Sequence, residues 1–156
     1  MLKVGDKAPD FVGKSTLGRK ISSRDHRGQK LVVYFFWSTH PLSLGCRDEA
    51  VRFRDNYPEL RGLGAEVIGI STNKLDTSCK FSQRNQITFP IIADETHVIA
   101  SSWGVFRRFP PIDLRVTFVL DESGIVRAVF HHEWQMSVHL DEVLKFIKST
   151  AAQAIR

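Results

Sequence analysis

Several sequence features that would directly indicate a class of protein are scarce or missing in this 156-residue chain. It has two cysteines, far apart at Cys46 and Cys79, so neither a disulfide scaffold nor a C-x-x-C pair is present. No apolar run approaches the roughly 20 residues of a membrane-spanning helix. The first eleven residues also lack the apolar core of a secretory signal. We therefore expect no membrane partner and a cytoplasmic location.

The basic residues form no long cluster. Lys and Arg number 22 against 17 Asp and Glu, giving a net charge of +5, but they are scattered among the acids, with no run longer than Arg107–Arg108. A nucleic-acid-binding surface would need clustered basic residues, so we expect no nucleic-acid partner. The histidines show no ligand spacing, and neighbours such as His131 and His132 on a strand point to opposite faces, so we expect no metal site.

The chain has no repeats, low-complexity tracts or long linkers, which predicts a single domain over residues 1–156. An N-terminal extension of short extended pieces, residues 1–29, precedes the regular elements. The apolar patterns then predict, in order, strand 31–36, helix 43–61, strand 65–70, helix 74–86, strand 90–92, helix 95–103, a hairpin of strands 116–120 and 125–131, and a final helix. This order predicts an α/β protein with a mixed central β-sheet flanked by helices, as in the thioredoxin fold.

Three local features refine these helices. Pro58 lies inside the first helix and is expected to kink it or end its regular part early. Gly104 suits a left-handed cap at the end of helix 95–103. Asp141 and Glu142 are expected in the first turn of the final helix, where carboxylates favour the positive end of the helix dipole.

The main chemical signal is the position of Cys46. It follows the fully apolar strand 31–36 and falls in the first turn of the next helix, whose backbone N–H groups and dipole favour a thiolate. A thiolate is the nucleophilic form of cysteine, so Cys46 is the candidate nucleophile. The alternative is that Cys46 is a small buried hydrophobic residue.

The residues around Cys46 resemble those of the peroxiredoxins, the alkyl hydroperoxide reductase and thiol-specific antioxidant family. Segment 43–46, Ser-Leu-Gly-Cys, matches the [TS]-x-x-C half of that family's motif. Glu49 and Ala50 then match the G-C-x-x-E-A of the peroxiredoxin Q (bacterioferritin comigratory protein) branch. The family's proline is replaced by Thr39, and the loop before Cys46 is longer by about two residues.

The resemblance extends over almost the whole chain. Each motif is weak by itself, but they occur together and in the family's order. They are GDKAPDF at 5–11, VIGIST at 67–72, KFSQRNQITFPIIAD at 80–94, ASSWGV at 100–105 and RVTFVLDESGIVRAVF at 115–130. The resemblance thus implies a thioredoxin-fold thiol peroxidase that needs no dissociable cofactor.

Further site residues follow from this resemblance. Thioredoxin-like reductases carry a proline in the P-x-T-F slot where this chain has Arg115, whose guanidinium would stabilise the Cys46 thiolate and the developing charge on the peroxide. Ser43 would hydrogen-bond the peroxide or the sulfur, or serve as a helix cap. Glu49 would orient Arg115, or lie solvated on the helix surface. The implied substrates are hydrogen peroxide and organic hydroperoxides, and the implied reductant is thioredoxin or a similar dithiol.

The role of Cys79 stays open. Peroxiredoxin Q proteins place a resolving cysteine five residues after the first cysteine, where this chain has Val51, or in the next helix, where Cys79 lies. Cys79 is therefore either a resolving thiol that forms a disulfide with Cys46 or a structural thiol beside Leu75. In the second case the enzyme would take its resolving thiol from another molecule.

The expected oligomeric state is a monomer or weak homodimer. Two other functions are alternatives to the peroxidase function. FWST before C-R-D-E is similar to the active-site segment of thioredoxin-like thiol–disulfide oxidoreductases, but the first cysteine of their motif is missing. A catalytically degraded thioredoxin-fold binding protein is the third possibility. Peroxide turnover and reduction of insulin disulfides distinguish the three.

Overall fold

A computed structural model describes residues 1–36, 44–107, 112–113, 115–131 and 136–154. Within these ranges, only the backbone is described for residues 44–49, 107, 112–113, 136–139 and 152–154. The strands are β1 (Val12–Lys14), β2 (Lys20–Ser22), β3 (Lys30–Phe36), β4 (Ala65–Ser71), β5 (Ile91–Ala93), β6 (Phe106–Arg107), β7 (Ile112–Asp113), β8 (Val116–Leu120) and β9 (Val126–His131). The helices are α1 (Leu44–Gly62), α2 (Leu75–Arg84), α3 (Val98–Ser102) and α4 (Met136–Ala154).

The central sheet has the strand order β5-β4-β3-β8-β9. Strand β3 is parallel to β4, and β4 to β5, whereas β8 is antiparallel to both β3 and β9. The sheet is therefore mixed, as predicted. Two further pairs lie outside it, the β1–β2 hairpin in the N-terminal extension and the short β6–β7 pair, which the sequence patterns do not predict.

Each face of the sheet is covered by its own hydrophobic core. Successive residues of β3 alternate between the two, because side chains of a strand point to opposite faces. Leu31, Val33 and Phe35 pack with Phe11 and Ile21 of the N-terminal extension and with α3. Val32, Tyr34 and Phe36 pack instead with residues of α1 and α4, among them Phe53 and Leu140. Burial on both faces explains why β3 reads as a continuous apolar run.

Helix α1 agrees with the predicted bounds 43–61 to within one residue. Pro58 lies inside the helix, which continues to Gly62, so of the two expected effects of this proline the early end does not occur. Proline removes one backbone hydrogen bond, and burial of Leu60 on the sheet, where it is fully buried, offsets part of that loss. Ala50 and Phe53 are also fully buried, so the side of the helix that packs on the sheet is apolar.

Two corrections concern where helices begin. Helix α4 starts at Met136, so Asp141 and Glu142 do not lie in its first turn as expected. Helix α3 starts at Val98 rather than near residue 95, because His97 adopts a left-handed conformation with φ of 59° that breaks the helical path. Gly104 has φ of 72°, which confirms the left-handed cap predicted for this residue.

The N-terminal extension closes the β5 edge of the sheet. The Thr16 N–H donates to the Ile91 carbonyl at 3.0 Å, and the Ile91 N–H donates to Thr16 Oγ1 at 3.1 Å. Ser15 forms an isolated antiparallel bridge with Ile92. Gly13 lies so close to Ile92 that a β-carbon on it would fall 2.5 Å from Ile92 Cγ2, so this approach requires glycine. The extension is thus part of the folded body.

Candidate active site

The carboxyl ends of three parallel strands meet at one edge of the sheet. Phe36 at the end of β3 pairs with Ser71 of β4, and Ser71 pairs with Ala93 of β5. In open α/β sheets this edge, beyond the carboxyl ends of the strands, is where ligands bind. Helix α1 follows β3 and therefore begins at the same edge.

Cys46 is the third residue of α1, which begins at Leu44. Its backbone N–H is one of the four at the helix start that have no partner within the helix, as predicted from the sequence. Partial positive charge at a helix start stabilises a thiolate relative to a thiol. Ser43, and the side chains of Cys46 and Glu49, lie outside the residues whose side chains are described.

Arg115 reaches the same edge of the sheet from β8, the strand that pairs with β3 on the side away from β4. It directly precedes β8, whose residue Val116 pairs with Phe35 near the end of β3. The backbone of Arg115 is therefore level with the end of β3, where the chain leaves toward α1. Arg115 is half-buried. Two predicted site elements, the start of α1 and Arg115, thus share one sheet edge.

Cys79 carries a free, half-buried thiol on α2. Phe81, two residues further along, contacts Phe36 with ring centroids 5.8 Å apart and so marks the side of α2 that faces β3. Two residues correspond to a rotation of about 200° around a helix, so Phe81 and Cys79 lie on opposite flanks of the buried side of α2 that Ser78 and Ser82 form. A disulfide with Cys46 requires the two Cα atoms to come within about 7 Å.

The buried side of α2 is unusually polar. Ser78, Ser82 and Asn85 are all buried, and Ser78 Oγ has no hydrogen-bond partner among the described residues. Such a helix gains little from hydrophobic burial, and an unsatisfied buried hydroxyl opposes its packing. Helix α2 is therefore one of the weaker attachments to the sheet.

The comparisons with known proteins identify the family. Residues 4–129 match the profile of the AhpC/TSA family. The chain belongs to this family. Among its relatives, the chloroplastic peroxiredoxin Q of Suaeda salsa is 35% identical over 151 residues, covering 93% of this chain and 67% of that protein. The chloroplastic peroxiredoxin Q of Sedum lineare is 34% identical, covering 93% of this chain and 77% of that protein.

Solved structures agree with this assignment. The crystal structure of peroxidoxin BcpB from Mycobacterium tuberculosis has a TM-score of 0.87 at 27% identity and covers 96% of this chain and 98% of that one. Peroxiredoxin Q from Xanthomonas campestris shares the fold, with a TM-score of 0.80 at 24% identity over 90% of this chain and 91% of that one. The predicted thioredoxin fold is thus confirmed. This chain is a peroxiredoxin, a thiol-dependent peroxidase and hence an oxidoreductase.

The two competing functions gain no comparable support from these similarities. In addition, no helix among the described residues is long and apolar enough to cross a bilayer. Nor does this part of the chain bring three His, Cys, Asp or Glu side chains together as a metal site would need.

The sequence analysis missed two buried polar residues near the edge of the sheet where α1 begins. Ser71 Oγ accepts a hydrogen bond from the Asn73 N–H at 3.1 Å, and both residues are buried where β4 ends beside Phe36. Thr117, fully buried in β8, pairs with Tyr34 on one side and Phe130 on the other. The signal was present, since each is a small polar residue at the end of, or within, an otherwise apolar strand.

Proposed function

We propose that this peroxiredoxin reduces hydrogen peroxide and organic hydroperoxides with the Cys46 thiolate as nucleophile. One observation carries the assignment of residues: Cys46 lies in the first turn of α1 at the same sheet edge to which the Phe35–Val116 pair brings Arg115. The helix start and the fixed positive charge of a guanidinium both favour the thiolate.

In the proposed first step the Cys46 sulfur attacks the terminal oxygen of the peroxide, and the O–O bond breaks. Cys46 becomes a sulfenic acid, and the departing oxygen takes a proton to leave as water or an alcohol. Arg115 stabilises the negative charge that develops on the departing oxygen. Ser43 donates a hydrogen bond to the peroxide, and Glu49, one helical turn from Cys46, orients the Arg115 guanidinium.

In the proposed second step Cys79 acts as the resolving thiol. Its thiolate attacks the Cys46 sulfenic acid, a disulfide forms and water leaves. The polar, weakly held underside of α2 supports this role, because it permits the unwinding that brings Cys79 to Cys46. A dithiol protein of the thioredoxin class then reduces the disulfide by two thiol–disulfide exchanges.

We further propose that the enzyme works as one domain, as a monomer or weak homodimer, in a reducing compartment such as the cytoplasm. Phe11 and Ile21 of the N-terminal extension share a core with β3 and β4, which supports a single folding unit. A reducing compartment supplies the dithiol that the cycle consumes. The relatives in plants are named as chloroplast proteins.

Stopped-flow oxidation of the pre-reduced protein by one equivalent of hydrogen peroxide tests the proposal. Wild type, Cys46→Ser and Cys79→Ser are compared, and intact masses are recorded at the end. We expect fast oxidation in wild type and Cys79→Ser and none in Cys46→Ser. The wild-type product should have lost two hydrogens, whereas Cys79→Ser should have gained one oxygen. A Cys46 that reacts no faster than free cysteine would refute the peroxidase assignment, and a wild-type sulfenic acid that persists would refute a resolving Cys79.

A further inference from the structure

An exposed cleft with a mixed polar and apolar lining lies beside the start of α2. Its walls come from β1, from the start of α2 and from the segment that leads into α3. The residues at its mouth are Val12, Lys14, Leu75, Glu95, Thr96 and Val98. The two valines are among the most exposed large apolar residues in the described part of the chain, Val12 at 60% and Val98 at 67%.

The fold holds these side chains outward. Because Gly13 faces Ile92 at close range, its neighbours in β1, Val12 and Lys14, must point to solvent. Val98 is the first residue of α3, and its neighbour Ile99 is buried in the core. A single exposed valine needs no explanation, but here two border one cleft together with Leu75 and with the polar residues Lys14, Glu95 and Thr96. Such a mixture of apolar and polar surface is the composition of a protein contact.

Cys79 is tied to this cleft. Leu75 and Cys79 are four residues apart on α2, so their β-carbons lie about 5–6 Å from each other on one helix side. Glu95 Oε1 accepts the Leu75 N–H at 2.9 Å and so anchors the start of α2 to the loop that precedes α3. Even when the rest of α2 unwinds, four residues of chain reach at most about 14 Å. Any disulfide that Cys79 forms therefore stays near the cleft.

We propose that this cleft docks the dithiol protein that reduces the enzyme. The inference rests on the proposed function, in which a Cys46–Cys79 disulfide must be reduced. The reductant's thiolate attacks the Cys79 sulfur, because Cys46, at a helix start, is the better leaving thiolate. The Cys46–Cys79 bond breaks, and a mixed disulfide joins the partner to Cys79. The partner's second thiolate then attacks its own sulfur in that bond and releases Cys79, so the partner leaves oxidised by two electrons.

The mixed disulfide fixes where the partner's surface must lie. An ordinary protein interface covers about 800 Å² on each side, equivalent to a disc of about 16 Å radius. Centred on a sulfur that cannot move far from Leu75, such a footprint includes the cleft. Val12 and Val98 belong to β1 and α3 rather than to α2, so they keep their places when α2 unwinds. The fitting occupant is thus a dithiol protein with apolar residues around its reactive cysteine.

The test measures separately how fast a protein and how fast a small molecule reduce the oxidised enzyme. The variants are Val98→Glu, the double variant V12E/V98E, and Val4→Glu as the matched control, since Val4 is 61% exposed but lies outside the cleft. Each is oxidised with peroxide and then reduced either by a purified thioredoxin or by dithiothreitol. We expect the ratio of thioredoxin-dependent to dithiothreitol-dependent kcat/KM to fall about tenfold in V98E and further in the double variant, equivalent to about 1.4 kcal/mol.

The outcomes distinguish a failure of the proposed docking site from a failure of the proposed peroxidase function. An unchanged ratio in both cleft variants, or an equal fall in V4E, overturns the docking site. So does wild-type self-association, seen in sedimentation, that V98E abolishes, because the cleft would then bind a second copy of this chain. A wild type that thioredoxin cannot reduce although dithiothreitol can also overturns it. Failure of the peroxide step, measured without any reductant, instead defeats the proposed function itself.

Discussion

Phe35 and Val116 face each other as Cα partners across the antiparallel β3–β8 pair. This single register position determines where Arg115 stands, because Arg115 is the residue before Val116. A shift of the pairing by one residue would turn the side chains of β8 to the opposite face of the sheet. Strand pairing in the interior of the sheet, rather than the loops around the site, therefore positions the arginine.

Replacing Arg115 should slow the peroxide step while leaving the fold intact. In Arg115→Gln we expect the second-order rate constant for oxidation of Cys46 to fall about 100- to 1,000-fold, as when one stabilising donor is removed from an active site. The pKa of the Cys46 thiol should rise, because a positive charge that favours the thiolate is lost. Stopped-flow kinetics with hydrogen peroxide and ultraviolet titration of the thiolate measure the two effects.

Arg127→Gln is the matched control for that substitution. Arg127 lies on β9 and pairs through Nε with Asp121 Oδ2 at 2.8 Å on the protein surface, away from the sheet edge where α1 begins. We expect its oxidation rate to equal that of wild type. If both arginine variants slow the reaction alike, net charge rather than the position of Arg115 is responsible.

The cap of α2 should control the disulfide step. Lys74 precedes the helix without a side-chain cap, and the Glu95 carboxylate supplies one by accepting the Leu75 N–H. Loss of such a cap typically costs about 1 kcal/mol of helix stability. In Glu95→Ala we therefore expect disulfide formation from the Cys46 sulfenic acid to accelerate, by up to about fivefold, because unwinding of α2 precedes it.

Rapid-quench mass measurement follows that step after peroxide is mixed with reduced protein. Glu122→Ala is a suitable control, since Glu122 is exposed and lies in the turn between β8 and β9, away from α2. A slower disulfide step in Glu95→Ala would show that a formed α2, not an unwound one, presents Cys79 to Cys46.

The sequence predicts the elements of this fold well where burial is continuous. The predicted strands 31–36, 65–70 and 116–120 agree with the observed bounds to within one residue, because a strand buried on both faces ends where its apolar run ends. The helix starts were harder. No apolar pattern reports the left-handed backbone of His97, which moved the start of α3.

The site could be predicted in part for a similar reason. The position of Cys46 at a helix start follows from a strand and a helix adjacent in sequence, both strongly patterned. The direction of Cys79 does not, because the rotation of α2 depends on the packing of Phe81 against Phe36, and serines occupy its buried side in place of an apolar stripe. Periodicity cannot indicate which side of such a helix faces the sheet.

The carboxylate of Asp10 should make stability depend on acidity. Arg24 donates a hydrogen bond to it at 2.9 Å and holds the pKa of Asp10 below its ordinary value of 3.8, against partial desolvation and with help from the charge of Arg27. A lowered folded-state pKa means that this stabilisation is complete above 3.8 and is lost as pH falls through the folded-state value.

In Asp10→Asn we expect the free energy of unfolding at pH 7 to fall by about 0.5 to 1 kcal/mol, the size typical of partly exposed ion pairs. The difference from wild type should shrink as the pH drops below 3.8. Urea titrations followed by circular dichroism across a pH series measure it. Asp25→Asn provides the comparison, since Asp25 is an exposed aspartate next to Arg24. A gap between Asp10→Asn and wild type that persists in acid would assign the loss to the shape of the side chain rather than to its charge.

The hydrogen bonds between Thr16 and Ile91 also protect the edge strand β5 from pairing with strands of other molecules. An open strand edge presents free N–H and C=O groups that recruit strands from other molecules, most readily where the strand is apolar and β-branched. The Ile91–Ile92 pair fits that description; both residues are fully buried, and the N-terminal hairpin bonds to the outer edge of their strand. Removing the hairpin would therefore expose an aggregation-prone edge, so the N-terminal extension protects solubility as well as completing the core.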